Sequence, residues 1–202
     1  MTLSGTELKI IAPSTNATAL NTYPLLLCEL MPKYEINTIQ RVQCFLSQLA
    51  HESGCFVYTK EIASGSAYEG RADLGNTQPG DGKKFKGRGL IQVTGRNNYK
   101  ECSRALFGDD RLLTKPEILE QPRYATESAC WFWKSRGLNE IADKDENWTT
   151  IVRKGTPKQA VYNKFQYLTY RINGGQNGYS DRLAIYNRAK QVIDHRHFMA
   201  TS

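Results

Sequence analysis

The clearest periodicity in the chain lies between residues 39 and 50, where Ile39, Val42, Phe45, Leu46, Leu49 and Ala50 recur at helical spacing. It predicts an amphipathic helix opened by Asn37 or Thr38 and stopped at Gly54. On that helix Glu52 falls at the edge of the apolar stripe and His51 roughly opposite it. Upstream, Ser4 with Glu7 three residues on reads as a capping box for a short first helix beginning near Gly5. Pro13, Pro24 and Pro32 then break the segment into pieces, leaving Tyr23 to Leu30 as an apolar turn or helix. Downstream, helices are predicted from just after Gly95 to about Phe107, from about Tyr124 to Ser135, and from Asp181 to Val192. Another starts at Thr156-Pro157, carries Ala160, Val161, Phe165 and Leu168, and ends at Gly174-Gly175; the tail from Asp194 reads as frayed.

Two stretches break the helical pattern. Between Gly65 and Gly89 stand seven glycines with little periodicity, a long loop of the kind that serves binding or catalysis. Leu90 to Thr94 alternates apolar and polar, which predicts a short strand presenting Gln92 and Thr94 on one face and Ile91 and Val93 on the other. Seven or eight helices with so little strand make a mainly α single domain, bilobed around a cleft. Residues 1–36 read as a packing segment, 37–193 as the core and 194–202 as a tail.

Composition adds an electrostatic clue. The 202 residues are 40% hydrophobic and 23% charged, ordinary for a globular chain, but the net charge of +7 favours an anionic partner. Lys83, Lys84, Lys86, Arg88, Arg96, Lys100 and Arg104 cluster about the glycine-rich stretch, which predicts a cationic rim beside a cleft. Only Phe85 and Tyr99 interleave with them, too few for a nucleic-acid surface. Five cysteines without C-x-x-C spacing fit neither a zinc ribbon nor a fully paired disulfide framework. The chain shows neither a leader pattern nor a run of 18 apolar residues, so synthesis as a thiol-containing cytoplasmic protein without stable membrane insertion is expected.

The candidate chemistry is carboxylate chemistry. Gly87-Arg88-Gly89 lacks the third glycine of a dinucleotide loop, no G-x-S-x-G occurs, and the histidines and cysteines make no metal-ligand spacing; neither a metal nor a cofactor is expected. Glu52, at a helix C-terminus in a half-apolar setting, is expected to hold its proton more tightly than an ordinary carboxyl, as a general acid requires. Glu61 lies nine residues on, beyond a predicted helix break. Two carboxyls across a groove are the equipment of glycoside hydrolysis. Nine residues of unbroken helix would separate them by about 13 Å in rise alone, so the inverting geometry requires the break near Gly54.

These motifs resemble glycoside hydrolase family 19. The resemblance rests on His51-Glu52-Ser53, the run Gly87 to Thr94, Trp131-Phe132-Trp133, Ile172-Asn173-Gly174-Gly175 and Asp181-Arg182, in the family's order from about residue 40 to 190. The block from Glu61 to Asn76 resembles the bacteriophage endolysin branch more than the plant chitinases. The resemblance implies a lysozyme-like fold with a very short β element and an inverting mechanism, with Glu52 as general acid, Glu61 as general base and Glu69 as the rival base. It implies further that Thr94 helps hold the attacking water, that Gln92 and Asn98 contact sugar, and that Asn173 and Arg182 organise the far side of the cleft. Asn97 and Asn177 stand where chitinases often carry tyrosine and glutamate, which removes a partner of Arg182 and argues against chitin. Residues 153–167 look inserted relative to short relatives. The expected function is cleavage of β-1,4 links in peptidoglycan by a monomeric endolysin, held in the host cytoplasm until release to the cell wall. The alternatives are a chitinase and a non-catalytic wall-binding module.

Overall fold

A computed structural model describes residues 1–153 and 159–199. At its centre is α3 (Ile39–Glu52), capped by the Thr38 hydroxyl, which accepts from the Arg41 N–H. Every residue from Val42 to Ala50 is buried, the polar ones included, so the expected solvent face of an amphipathic helix is absent. Gln43 donates to the Ile193 carbonyl at 2.9 Å, Ser47 to the Gln43 carbonyl at 2.5 Å and Gln48 to the Thr169 hydroxyl at 3.0 Å. Neighbours cover all sides of α3, and its buried polar groups are satisfied by them.

The rest of the chain supplies that cover. The Ser4–Glu7 capping box forms as expected and opens α1 (Gly5–Ile11). Next comes α2 (Ala17–Leu30), one continuous helix in spite of Pro24. The expected break fails because the proline ring, buried with Tyr23 and Leu27, gains core contact that offsets one lost backbone bond. After a glycine-rich stretch holding the single turn α4 (Asp81–Lys84) come α5 (Arg96–Phe107), α6 (Arg111–Thr114), α7 (Pro122–Ser135) and α8 (Leu138–Ala142). Trp133 of α7 meets Phe45 of α3 edge-on, with ring centroids 5.3 Å apart, and donates to Asn139 at 2.8 Å. Trp133 is 1% exposed and is part of the core.

Two predicted elements differ. The Thr156-Pro157 helix start lies outside the described residues, but Ala160 and Val161 stand in a strand. The strands β1 (Thr149–Arg153) and β2 (Gln159–Asn163) pair antiparallel, Ile151 opposite Val161, and α9 (Lys164–Asn173) begins only after Asn163 caps it. No strand forms at Leu90–Thr94, where Arg88 and Val93 exchange two backbone hydrogen bonds around a turn with Gln92 at φ 58°. The last helix, α10 (Tyr179–Val192), packs along α3. The tail beyond it is less frayed than expected: Asp194 caps a short turn at His195–Phe198, and His197 is buried against Glu7.

Candidate active site

The C-terminal end of α3 is held to the start of α10 by two successive polar pairs. His51 Nδ1 lies 2.6 Å from Asp181, and the next residue, Glu52, accepts from Arg182 Nη2 at 2.5 Å. His51 therefore faces a neighbouring helix rather than solvent. It approaches Gly178 so closely that a Cβ there would stand 2.2 Å from the imidazole, and Gly178 also adopts φ +70°. Arg182, 2% exposed, donates further to Gln48 at 2.6 Å and to the Asn177 carbonyl at 3.1 Å. Asn173 binds the same carbonyl through its amide nitrogen and accepts from the Gly175 N–H, which ties the 174–178 loop to the pair. The partner expected to be missing from Arg182 is thus replaced by Glu52, Gln48 and a backbone carbonyl. A cation, more than an apolar wall, faces Glu52.

The helix breaks immediately after Glu52. Gly54, Cys55 and Phe56 all take left-handed backbone at φ 57–65°, a costly conformation for the last two. Hydrogen bonds from Cys55 N–H to Ala50 and from Phe56 N–H to the Ser53 hydroxyl hold the turn, and Phe56 is buried beside Tyr23. This reversal leads the chain to Glu61, whose N–H meets the Gly87 carbonyl at 2.9 Å. The Gly87 N–H returns to Glu61 Oε2 at 3.0 Å, and the Tyr68 hydroxyl donates to Oε1 at 3.0 Å. Burial, reinforced by the adjacent Glu61, pushes the Tyr68 phenol above its ordinary value, so it stays a neutral donor. Tyr68 was not among the expected site residues, although it lies in the Glu61–Asn76 block that carried part of the resemblance.

Glu69 is turned elsewhere. Its two oxygens accept from the N–H groups of Gly80 and Gly82 at 2.6 and 2.7 Å. The same loop is laced by Asn76, which binds the Tyr68 carbonyl and the Arg96 N–H, and by the buried pair Asp81–Arg96 at 2.6 Å. Each carboxylate oxygen of Glu69 thus accepts a loop N–H, which argues against its expected role as the rival base. The expected cationic rim is likewise reduced, since Arg88 pairs with Glu120, Arg96 with Asp81 and Arg104 with Asp110.

Gln92, Thr94 and Asn98 line one pocket of about 190 Å³ together with Leu74, Ile91, Val93, Trp131, Phe132 and Ile172. All four residues from Ile91 to Thr94 reach this one pocket, so the turn does not sort the polar pair and the apolar pair onto opposite faces as the expected strand would have. Trp131, two residues before the buried Trp133, lines this pocket. A larger hollow of about 470 Å³ beside α1 and α2 is lined by Gly5, Thr6, Lys9, Ile10, Leu20 and Asn21, without a carboxylate or histidine, so size alone does not locate the chemistry. Gly87 joins the pocket to Glu61: a Cβ at Gly87 would lie 2.6 Å from Gln92 Oε1 and 3.3 Å from Glu61 Oε2. Ile172 joins it to Asn173 and hence to Arg182 and Glu52.

The family model for class I chitinases, glycoside hydrolase family 19, matches residues 40–194. The chain belongs to glycoside hydrolase family 19. A family 19 domain protein of Haemophilus influenzae is 27% identical over 190 residues, covering 79% of this chain and 82% of that one. An endochitinase of Arabidopsis thaliana is 30% identical over 156 residues, 77% of this chain but 47% of the plant protein, so the chain spans about half of that relative. Among solved structures, chitinase C of Streptomyces griseus superposes with a TM-score of 0.64 at 21% identity, over 94% of this chain and 76% of that one. A bacterial family 19 chitinase superposes with a TM-score of 0.61 at 21% identity over 98% of each chain. These superpositions establish the helical family 19 fold with its small antiparallel sheet. The family is one of glycosidases, and within it Glu52, Glu61, the pocket and Arg182 all fall inside the matched residues.

Proposed function

We propose that this protein is an endolysin-type muramidase, cleaving β-1,4 bonds of bacterial peptidoglycan with inversion. One observation carries the proposal: two carboxylates held in different ways, Glu52 against a buried guanidinium and Glu61 against two neutral donors, with Gly87 seating Glu61 beside the pocket residue Gln92. Protonated Glu52 gives its proton to the glycosidic oxygen as the bond to the anomeric carbon breaks. A water on the far face gives a proton to Glu61 and its hydroxyl to that carbon. Arg182 then stabilises the carboxylate left on Glu52. The Thr94 hydroxyl, whose proton goes to the Gln92 carbonyl at 2.9 Å, keeps lone pairs to accept from the water. Gln92 and Asn98 contact the sugar.

The net charge of +7 supports a wall polymer bearing peptide carboxylates. In this reading the protein acts as a monomer and is held in the host cytoplasm until the membrane is opened. The endochitinase relatives favour a second reading, hydrolysis of neutral chitin. Reducing ends released from purified peptidoglycan and from chitin oligosaccharides separate the two, and mass spectrometry of the muropeptides names the bond. Activity on chitin alone overturns the wall reading. Glu52→Gln is expected to abolish hydrolysis and Glu61→Gln to lower it by several orders of magnitude. If Glu69→Gln has the larger effect instead, the base is reassigned.

A further inference from the structure

A run of aromatic rings lies on β2, α9 and the segment before β1, outside the pocket. Tyr162 of β2 packs against Tyr170 of α9 with centroids 5.8 Å apart, Tyr170 lies nearly parallel to Tyr167 at 6.3 Å, and Tyr167 meets Trp148 at 5.8 Å. The Arg171 guanidinium sits 5.8 Å from the Tyr167 centroid. Tyr162 is buried, whereas Trp148, Tyr167 and Tyr170 are half-buried. Core rings such as Phe45, Phe85, Tyr99 and Trp133 are at most 1% exposed, so this run is placed differently. Ring surface left in water gives up part of the burial that would stabilise it.

The run is continuous with the pocket. Arg171 donates to the Arg136 carbonyl at 2.7 Å, and Arg136 donates to the Asn98 amide oxygen at 3.1 Å while covering Phe132 at 5.2 Å. Asn98 and Phe132 both line the pocket, as does Ile172, the residue after Arg171. We propose that Trp148 and Tyr167, backed by Tyr170 and Tyr162, form a distal binding surface for a stretch of β-linked amino-sugar polymer leading away from the pocket. The inference rests on the glycosidase reading given above and extends it beyond the pocket. A β-linked pyranose presents axial C–H groups on its flat faces and hydroxyl and acetamido groups at its edges. The former pack on aromatic rings, and the latter suit the guanidinium of Arg171. The rings thereby lengthen the glycan grip.

The test compares Trp148→Ala, Tyr167→Ala and Tyr167→Phe with the parent. Two measurements are made: pelleting with purified peptidoglycan and with chitin, and hydrolysis of the polymer against that of short soluble oligosaccharides. The alanine variants are expected to lose about fivefold or more in polymer binding and in polymer KM, with kcat on short oligosaccharides within about twofold of the parent. Tyr167→Phe, which keeps the ring, is expected to bind as the parent does. Equal losses on short and long substrates would mean that the rings merely pin the hairpin to α9, and would overturn the proposal. So would pelleting that ignores the rings or is absent in the parent. A parent that pellets in a ring-dependent way yet hydrolyses nothing would remove the glycosidase reading and leave this one standing.

Discussion

Gly87→Ala separates the placement of the site from the stability of the fold. The added Cβ would stand 2.6 Å from Gln92 Oε1, which must retreat by about 0.8 Å to reach ordinary contact at 3.4 Å, and 3.3 Å from Glu61 Oε2, which must give slightly. Both neighbours are the movable ends of side chains, and Gly87 is not among the residues with left-handed backbone, so little strain enters the fold. Alanine also restricts the unfolded chain, worth about 0.4–1 kcal/mol in its favour, and the net change in stability is expected to stay within about 1 kcal/mol. Catalysis is less forgiving, because a misplacement near 1 Å can cost about a hundredfold. The expectation is a ten- to hundredfold loss of kcat/KM, about 1.4–2.7 kcal/mol of transition-state stabilisation, with an unchanged circular dichroism spectrum. Thermal melts and reducing-end release on the same preparation measure both quantities. A variant that folds normally and retains activity within about threefold would refute the claim that Glu61 and Gln92 work from either side of this residue.

Arg182→Gln removes a buried charge from Glu52 and Gln48; because the Glu52 side chain is 19% exposed, a cost near the lower end for a broken buried pair, about 3 kcal/mol, is expected. In a chain of this size that is a drop of roughly 6–12 °C in melting temperature together with lost hydrolysis, and a melt within 2 °C of the parent would contradict it. The Arg96 guanidinium beside buried Asp81 holds that carboxyl below its ordinary value, so the pair's contribution is present above about pH 3.9 and is lost as pH falls through the lowered folded value. The stability gap between the parent and Asp81→Asn should therefore close on acidification, and a gap unchanged from pH 7 to pH 3 would count against the pairing. Burial pushes the thiols of Cys44 and Cys102 up to about 12 and that of Cys130 higher still. A thiol reagent at pH 8 should then reach no cysteine of the native chain beyond Cys28 and Cys55, against all five in denaturant.

Much of the framework was legible in local pattern. The stripe from Ile39 to Ala50, the Ser4–Glu7 box and the stop at Gly54 each depend on neighbours three or four residues away, and each formed. The misreadings came from packing or from a competing local signal. Pro24 was read as a break, yet its ring is buried in the core. The helical spacing of Ala160, Val161, Phe165 and Leu168 hid a strand, although β-branched Thr149 to Val152 and the Asn163–Gln166 capping box could have placed the true start of α9.

The sequence by itself determined which side chains were available and where the backbone had to turn, because propensity, capping and glycine freedom act within a few residues. Which of Glu61 and Glu69 is anchored beside the pocket and which clamps a loop, that Trp131 and Trp133 part company, and that Arg182 meets Glu52 were decided only by the tertiary structure. A carboxylate or a guanidinium can satisfy its hydrogen bonds with any donor or acceptor within reach. For Arg182 the partner lies 130 residues away, a distance that no local pattern spans.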